Sequence, residues 1–344
     1  MNPSQPNNAA RPQRKPVRIS EETLITAAPL QPGASLPLAI KAALAELDLI
    51  AWATNNREMI ESNLARHGGI LFRGFKVKDF ERFATTISDR MLEYRERSSP
   101  RSQVSRNTYT STDYPPDQSI FLHNENSYQQ TWPLKIFFYC ETPASRGGET
   151  PIADCRKVYE FIHPDIRNRF AERGWMYVRN FSNVLGLTWQ TVFQTDERSA
   201  VEAYCLAHGI ETEWLDNDRL RIRARRRAIA RHPHTHELVW FNHAAFFHVS
   251  TLERAVREML LLEFREEDLP ANTYYGDGKP IEADVIAALR DAYHRATVTF
   301  PWQRGDILLL DNMLVAHGRA PFAGPRRVLV AMAEPHSSYE DGLR

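Results

Sequence analysis

At 344 residues the chain is long enough to bury a large core as one domain or two modest ones. Its 43 basic and 43 acidic residues cancel, so no overall field draws it to nucleic acid or an anionic membrane, and no apolar run approaches the roughly 18–20 residues of a membrane-spanning helix. Cys140, Cys155 and Cys205 are odd in number, widely spaced and without a CxxC, which argues against a disulfide framework and for a reducing, cytoplasmic setting.

The opening stretch MNPSQPNNAARPQRKPVR is rich in Pro, Asn and Gln, with positive charge but no apolar segment behind it. It reads as a disordered tail over residues 1–18 rather than a signal peptide, leaving 19–344 as a single folded domain. Leu38 to Gly69 show helical spacing, broken at Asn55-Asn56 and stopped at His67-Gly68-Gly69. Ile70–Phe72 reads as a short buried strand ending in Arg73-Gly74-Phe75, and Asp79–Met91 as another helix. From Ser98 to Ser119 the chain turns polar and Pro-bearing, the signature of a lid or binding loop.

Strands follow. Lys135–Cys140 is aromatic and apolar, Gly147–Asp154 (GGETPIAD) is a glycine turn leading into a strand, and Cys155–Arg169 is helical. Leu220–Ala230 is basic, His236–Asn242 reads as a strand, and Thr251–Asp268 as an amphipathic helix. The chain ends in an expected hairpin, Gly305–Asp311 and Val315–His317 around a turn at Asn312, followed by a strand over Arg327–Met332. Strand–helix alternation is missing. The pattern fits a mainly β (α+β) fold with helical decoration: a jelly roll carrying a helical and loop insertion around residues 155–270.

The chemistry begins at FLHNENSY, Phe121–Tyr128. On an extended backbone residues two apart share a face, so His123 and Glu125 aim an imidazole and a carboxylate at one point. Alone, that pair is either two metal ligands or an ordinary exposed polar pair. His317, on a late strand, can lie beside an early strand in a jelly roll. Two histidines and one carboxylate fill one face of an octahedron and leave the other open, which is the facial triad of a non-haem Fe(II) site. Ten residues on, Arg327 can grip a carboxylate by two parallel hydrogen bonds, and Thr150 offers a hydroxyl to the same group. A triad, an arginine and a hydroxyl together suit 2-oxoglutarate, whose keto-acid end chelates iron.

GGILFRGF (68–75), the HxE (123–125), GGETPIAD (147–154), HP-x-T…VWFN (232–242) and GDILLLDN…AHGR…PRR (305–327) occur in order. On these motifs, over roughly residues 45–335, the chain resembles the taurine dioxygenase-like (TauD/TfdA) family of Fe(II)/2-oxoglutarate-dependent oxygenases, which have a double-stranded β-helix core. The resemblance implies Fe(II) held by His123, Glu125 and His317, 2-oxoglutarate held by Thr150 and Arg327 with Arg326 as the fallback, and O2 as co-substrate. Many relatives carry HxD. The HxE here is similar to clavaminate synthase-like and SyrP-like hydroxylases, which puts a sulfonate substrate in doubt, and the intact carboxylate argues against a halogenase.

The substrate this implies is an amino acid or amino-acid-derived group, free or tethered to a carrier protein, in natural-product assembly. Asn126, Ser127 and Asn242 are the candidate substrate contacts, with the Asn107–Tyr114 loop beside them. The alternatives are a catabolic oxygenase of a free small organic acid, a non-catalytic jelly-roll binding protein, and a zinc hydrolase built on His232, His234 and His236. That last cluster and His243 lack the Cys or acidic partners of a zinc site and read as structural. The run Arg219–Arg231 lacks interleaved aromatics and reads as a salt-bridged face, not a nucleic-acid site. Arg73 reads as a structural ion-pair partner and Asp306 and Asp311 as turn caps. Family members often form dimers or tetramers, so the resemblance leaves a homo-oligomer open.

Overall fold

The late apolar runs become the middle of an eight-stranded sheet in the order 25–29, 38–42, 69–73, 307–311, 131–142, 327–337, 108–110, 103–105. The structure, a computed structural model, describes residues 24–93, 101–111 and 114–337, so the tail expected over 1–18 lies outside the described residues. Both faces of this sheet are covered. Along Ile307–Asp311, Leu308 and Leu310 join the core shared with Leu122, Ile152 and Val315 of a second sheet. Ile307 and Leu309 face the opposite way, onto Trp52, Ile60, Leu64 and Phe83 of the early helices. A strand buried on both sides needs no polar alternation, which is why LLL and RVLVAM read as continuous apolar runs.

The second sheet has four short strands in the order 297–298, 152–154, 315–319, 120–123. Facing sheets around one apolar core make the jelly roll, and most pairings in them are antiparallel. The helices Leu49–Asn55, Arg57–His67 and Phe80–Thr86 cover the outer face of the large sheet. The first is capped by Asp48, which accepts from the amides of Ile50 and Ala51, and the third by Asp79, which accepts from Arg82.

Several sequence expectations are corrected here. Leu38–Ala42 is a strand, parallel to Gly69–Arg73 with Leu38 opposite Ile70, because a five-residue apolar run is too short for its period to separate helix from strand. The helix expected to Met91 ends at Thr86, and Met91 bridges to Ala333 in an extended segment. Cys155–Arg169 is two helices, Cys155–Phe161 and Pro164–Arg173, because Pro164 holds Ile162-His163 extended and then serves as the first residue of the next helix. Part of the polar stretch 98–119 is a small hairpin, Gln103–Ser105 with Thr108–Thr110, docked on the sheet edge with Tyr109 opposite Val330. Residues 98–100 and 112–113 of it lie outside the described residues.

The most consequential correction concerns residues 305–319, which are not a hairpin. Ile307–Asp311 pairs with 131–142 in the large sheet, and Val315–Arg319 pairs with 120–123 and 152–154 in the small one. The chain changes sheets at Asn312. Between 175 and 275 a separate four-stranded sheet, in the order 210–215, 219–226, 175–181, 271–275, stands beside the jelly roll. Three arginines of its 219–226 strand are ion-paired as expected: Arg221 with Asp268, Arg223 with Glu213, and Arg225 with Glu211.

Candidate metal centre and cofactor pocket

His123 and His317 are cross-strand partners on neighbouring strands of the small sheet, and their ring centroids lie 4.5 Å apart. Glu125 follows just past the end of the first strand. One ligand atom from each of His123, Glu125 and His317 falls within 4.8 Å of the other two. His123 has its Nδ1 on the carbonyl of Phe121 at 2.9 Å, which leaves Nε2 for the cluster. Burial holds the pKa of His123 below that of an ordinary imidazole, and burial together with the neighbouring His123 holds that of His317 well below it. Both rings are therefore neutral near pH 7, the state in which imidazole binds a metal. Two neutral nitrogens and one carboxylate on one side of an otherwise open space fit a ferrous ion with a free hemisphere.

That space is a cavity of about 760 Å³, lined near the cluster by Phe138, Thr150, Arg319 and Arg326. Thr150 is buried, and its hydroxyl accepts from the indole N–H of Trp302 at 3.1 Å. The glycine turn before it puts Gly147 at φ 68° and Gly148 at φ 75°, and a Cβ on Gly147 would stand 2.2 Å from the carbonyl oxygen of Pro321. Arg326 donates from Nε to the Gly148 carbonyl at 2.9 Å, so the turn that positions Thr150 also positions the arginine. Burial, reinforced by the neighbouring Arg319, pulls the Arg326 guanidinium down to about 10, a buried cation short of a counter-charge.

Three site expectations change. Arg327 does not face the cavity: its side chain is 53% exposed and ion-paired with Glu141. Successive residues along a strand point to opposite faces, so Arg326 falls in phase with Val328, Val330 and Met332 of the core between the sheets, and Arg327 with Leu329 and Ala331 on the other face. Asn242 is spent on backbone, donating to the Ala228 carbonyl and accepting from the Ala244 amide. Ser127 is buried against the Nδ1 of His243 at 2.6 Å. Asn126, the remaining candidate, lines the cavity at φ 58° with a buried, unpartnered Oδ1.

Sequence reasoning missed four residues. Asn312, fully buried, accepts from the amide of Glu125 at 2.8 Å and donates to the carbonyls of Glu125 and Pro133, both at 2.9 Å. Asn124 answers it, donating to the Asn312 carbonyl at 2.6 Å. Arg101 forms a buried ion pair with Glu125 at 2.8 Å. His243, read as structural, lines the cavity with its ring 5.7 Å from that of His123. The local signal for Asn312 is an Asn after a buried strand, which equally suits a turn. His232, by contrast, is structural as expected, bonded to Asp311 at 2.9 Å.

A jelly roll holding two histidines and a carboxylate beside a recessed arginine and threonine defines the class of non-haem Fe(II)/2-oxoglutarate-dependent dioxygenases. Residues 27–332 match the model of the taurine catabolism dioxygenase TauD, TfdA family. The chain belongs to that family, and is an Fe(II)/2-oxoglutarate-dependent oxygenase. It is 41% identical over 279 residues to the dapdiamide synthesis protein DdaC of Enterobacter agglomerans, covering 80% of this chain and 85% of that one. It is 32% identical over 291 residues to a clavaminate synthase-like protein of Arabidopsis thaliana, covering 81% and 85%. Among solved structures its fold is similar to that of PvcB from Pseudomonas aeruginosa, with a TM-score of 0.55 at 15% identity over 94% of this chain and 95% of that one.

Proposed function

We propose that this oxygenase hydroxylates a C–H bond of an amino acid or amino-acid-derived group, free or carrier-tethered, in the biosynthesis of a natural product. His123, Glu125 and His317 would hold the iron, and Arg326 with Thr150 the far carboxylate of 2-oxoglutarate. The observation that carries the reading is the convergence of the three ligand atoms within 4.8 Å at the wall of the cavity that holds Arg326 and Thr150. The biosynthetic setting is supported by the likeness to a dapdiamide synthesis protein.

When bound, the iron and keto acid supply the oxidising chemistry, one oxygen atom going to succinate and the other to substrate. The protein's own residues do the positioning. Asn312 and Asn124 lock the backbone that carries Glu125, and Arg101 holds the carboxylate by Oε2, the oxygen that lies 3.8 Å from Nε2 of His317. Arg326 and Thr150 orient a diacid by its distal end. Phe138 and Phe246, against the rings of His317 and His123 at 5.0 and 4.8 Å, keep bulk water from the ligands.

The test is succinate release from 2-oxoglutarate with Fe(II) and ascorbate, screened over amino acids free and carrier-loaded, with mass spectrometry of each substrate. One compound should gain one oxygen atom and raise succinate release, and His123→Ala should abolish both. Equal succinate from the wild type and His123→Ala, or coupling only to a compound unrelated to any amino acid, would overturn the proposal.

A further inference from the structure

Among the described residues five arginines line the cavity, Arg101, Arg179, Arg290, Arg319 and Arg326, against one carboxylate, Glu125. Three have assigned work. Arg101 pairs with Glu125. Arg319 donates to the carbonyls of Tyr114, Pro115 and Gln118, pinning the segment that passes over the site. Arg326 serves the co-substrate. Arg179 and Arg290 remain, and among the described residues neither has a carboxylate within ion-pair distance.

Both are nevertheless held in place. The guanidinium of Arg290 lies 4.6 Å over the ring of Phe121, and that of Arg179 lies 4.7 Å over Phe181. Stacking covers a face of a planar guanidinium and leaves the N–H groups around its edge free to donate. Phe121 shares its strand face with His123, about 7 Å along the strand, so Arg290 stands one side chain away from the metal ligands. Arg179 follows Tyr177, whose ring stacks on Phe247 at 4.4 Å, and Phe247 in turn stacks on His243 at 4.8 Å. Burial without a counter-charge depresses the pKa of Arg290; a bound anion would reverse that cost.

Resting on the oxygenase reading above, we propose that Arg290 and Arg179 select the substrate by an anionic group, so that the enzyme acts on an organic acid. The same lining is a poor host for a free ammonium, since Glu125, the one acidic side chain in it among the described residues, is already paired. An amino-acid-derived substrate would therefore carry its amine masked. The anion is a carboxylate of the substrate itself or the phosphate of a tethering arm. Leu187, Leu252, Val256 and Met259 line the cavity while 39–55% exposed, and so form an apolar rim for the rest of the molecule.

The experiment uses the enzyme loaded anaerobically with Fe(II) and saturating 2-oxoglutarate, so that the co-substrate's own site is filled. Hexanoate, hexyl phosphate, hexanamide and hexylamine are titrated by calorimetry at fixed ionic strength. At least one anion should bind about tenfold or more tighter than the amide, and the amine weakest, as charge-assisted hydrogen bonds require. Arg290→Gln and Arg179→Gln should each erase most of that preference while keeping 2-oxoglutarate affinity, and Arg290→Lys should restore part of it. Hexanoate ahead of hexyl phosphate assigns a carboxylate; the reverse order assigns a phosphate arm. Amide or amine binding as tightly as both anions, or both Gln variants retaining the preference, overturns the inference. Failure of the wild type to bind 2-oxoglutarate with Fe(II) would instead strike the oxygenase reading itself.

Discussion

Asn312→Ala removes one buried amide that makes three hydrogen bonds, two to the backbone of Glu125 and one to the carbonyl of Pro133. No water-exposed surface lies nearby to compensate, since Asn312 and Asn124 are both fully buried. Each lost bond costs about 1 kcal/mol net, and more where the backbone group left behind stays dry. Non-additivity among neighbours trims the sum, so the expected loss is about 3–5 kcal/mol. Against a typical domain stability of about 5–15 kcal/mol, the variant stays folded but with a much lower urea midpoint. The second consequence is functional. Glu125 is held by its backbone, so its carboxylate drifts once the clamp is gone, and metal affinity should fall about tenfold to 100-fold, as for other groups that orient a ligand. Asn312→Asp discriminates between shape and bonding: it keeps an acceptor for the Glu125 amide but turns an oxygen toward two carbonyls, and should lose nearly as much. The assay is urea unfolding without metal, paired with an anaerobic Fe(II) titration. A loss under about 1 kcal/mol with unchanged metal affinity would refute the reasoning, because three buried bonds cannot vanish that cheaply.

Two further expectations concern the pocket. Arg326→Gln should weaken 2-oxoglutarate binding about 100-fold, the worth of a charge-assisted bidentate contact, whereas Arg327→Ala, on the exposed Glu141 pair, should change it less than threefold; anaerobic titration of the Fe(II)-loaded variants distinguishes the two, and the opposite order would restore Arg327 as the anchor. Burial of His248 lowers its folded pKa to about 4, below the usual value near 6.5. Between those values the unfolded chain binds the extra proton, so stability should fall as pH drops from about 6.5 to about 4, by at most about 1.4 kcal/mol per unit from this group, and level off below. His248→Asn, which can still cap Val249–Thr251, should flatten that slope in urea unfolding at several pH values. Parallel slopes in the two proteins would sink the assignment.

Much of this protein was legible in its sequence because the relevant signals are local. The short spacing of HxE keeps its two ligands close, and His123 and Glu125 do converge, although Glu125 lies in the turn after the strand rather than on it. The GGET turn is set by two residues at positive φ, and the RVLVAM run reads as a buried strand whatever lies around it. Helix boundaries were less legible, because Leu38–Ala42 and Met91 are decided by the sheet they join rather than by their own spacing.

Other features exist only in three dimensions. Choosing between Arg326 and Arg327 depends on which face of the strand meets the cavity: Val328, Val330 and Met332 face the core between the sheets and Leu329 and Ala331 the helices, and a run apolar on both faces carries no trace of that difference. The apparent hairpin at 305–319 is a passage between sheets, since an apolar run cannot state which neighbour it will pair with. The clamp of Asn312 on Glu125 and the convergence of Arg179 and Arg290 on one cavity join residues far apart in the chain. Periodicity reports which side of an element is buried. What that side meets is settled by packing, and packing is where this enzyme's charge selection resides.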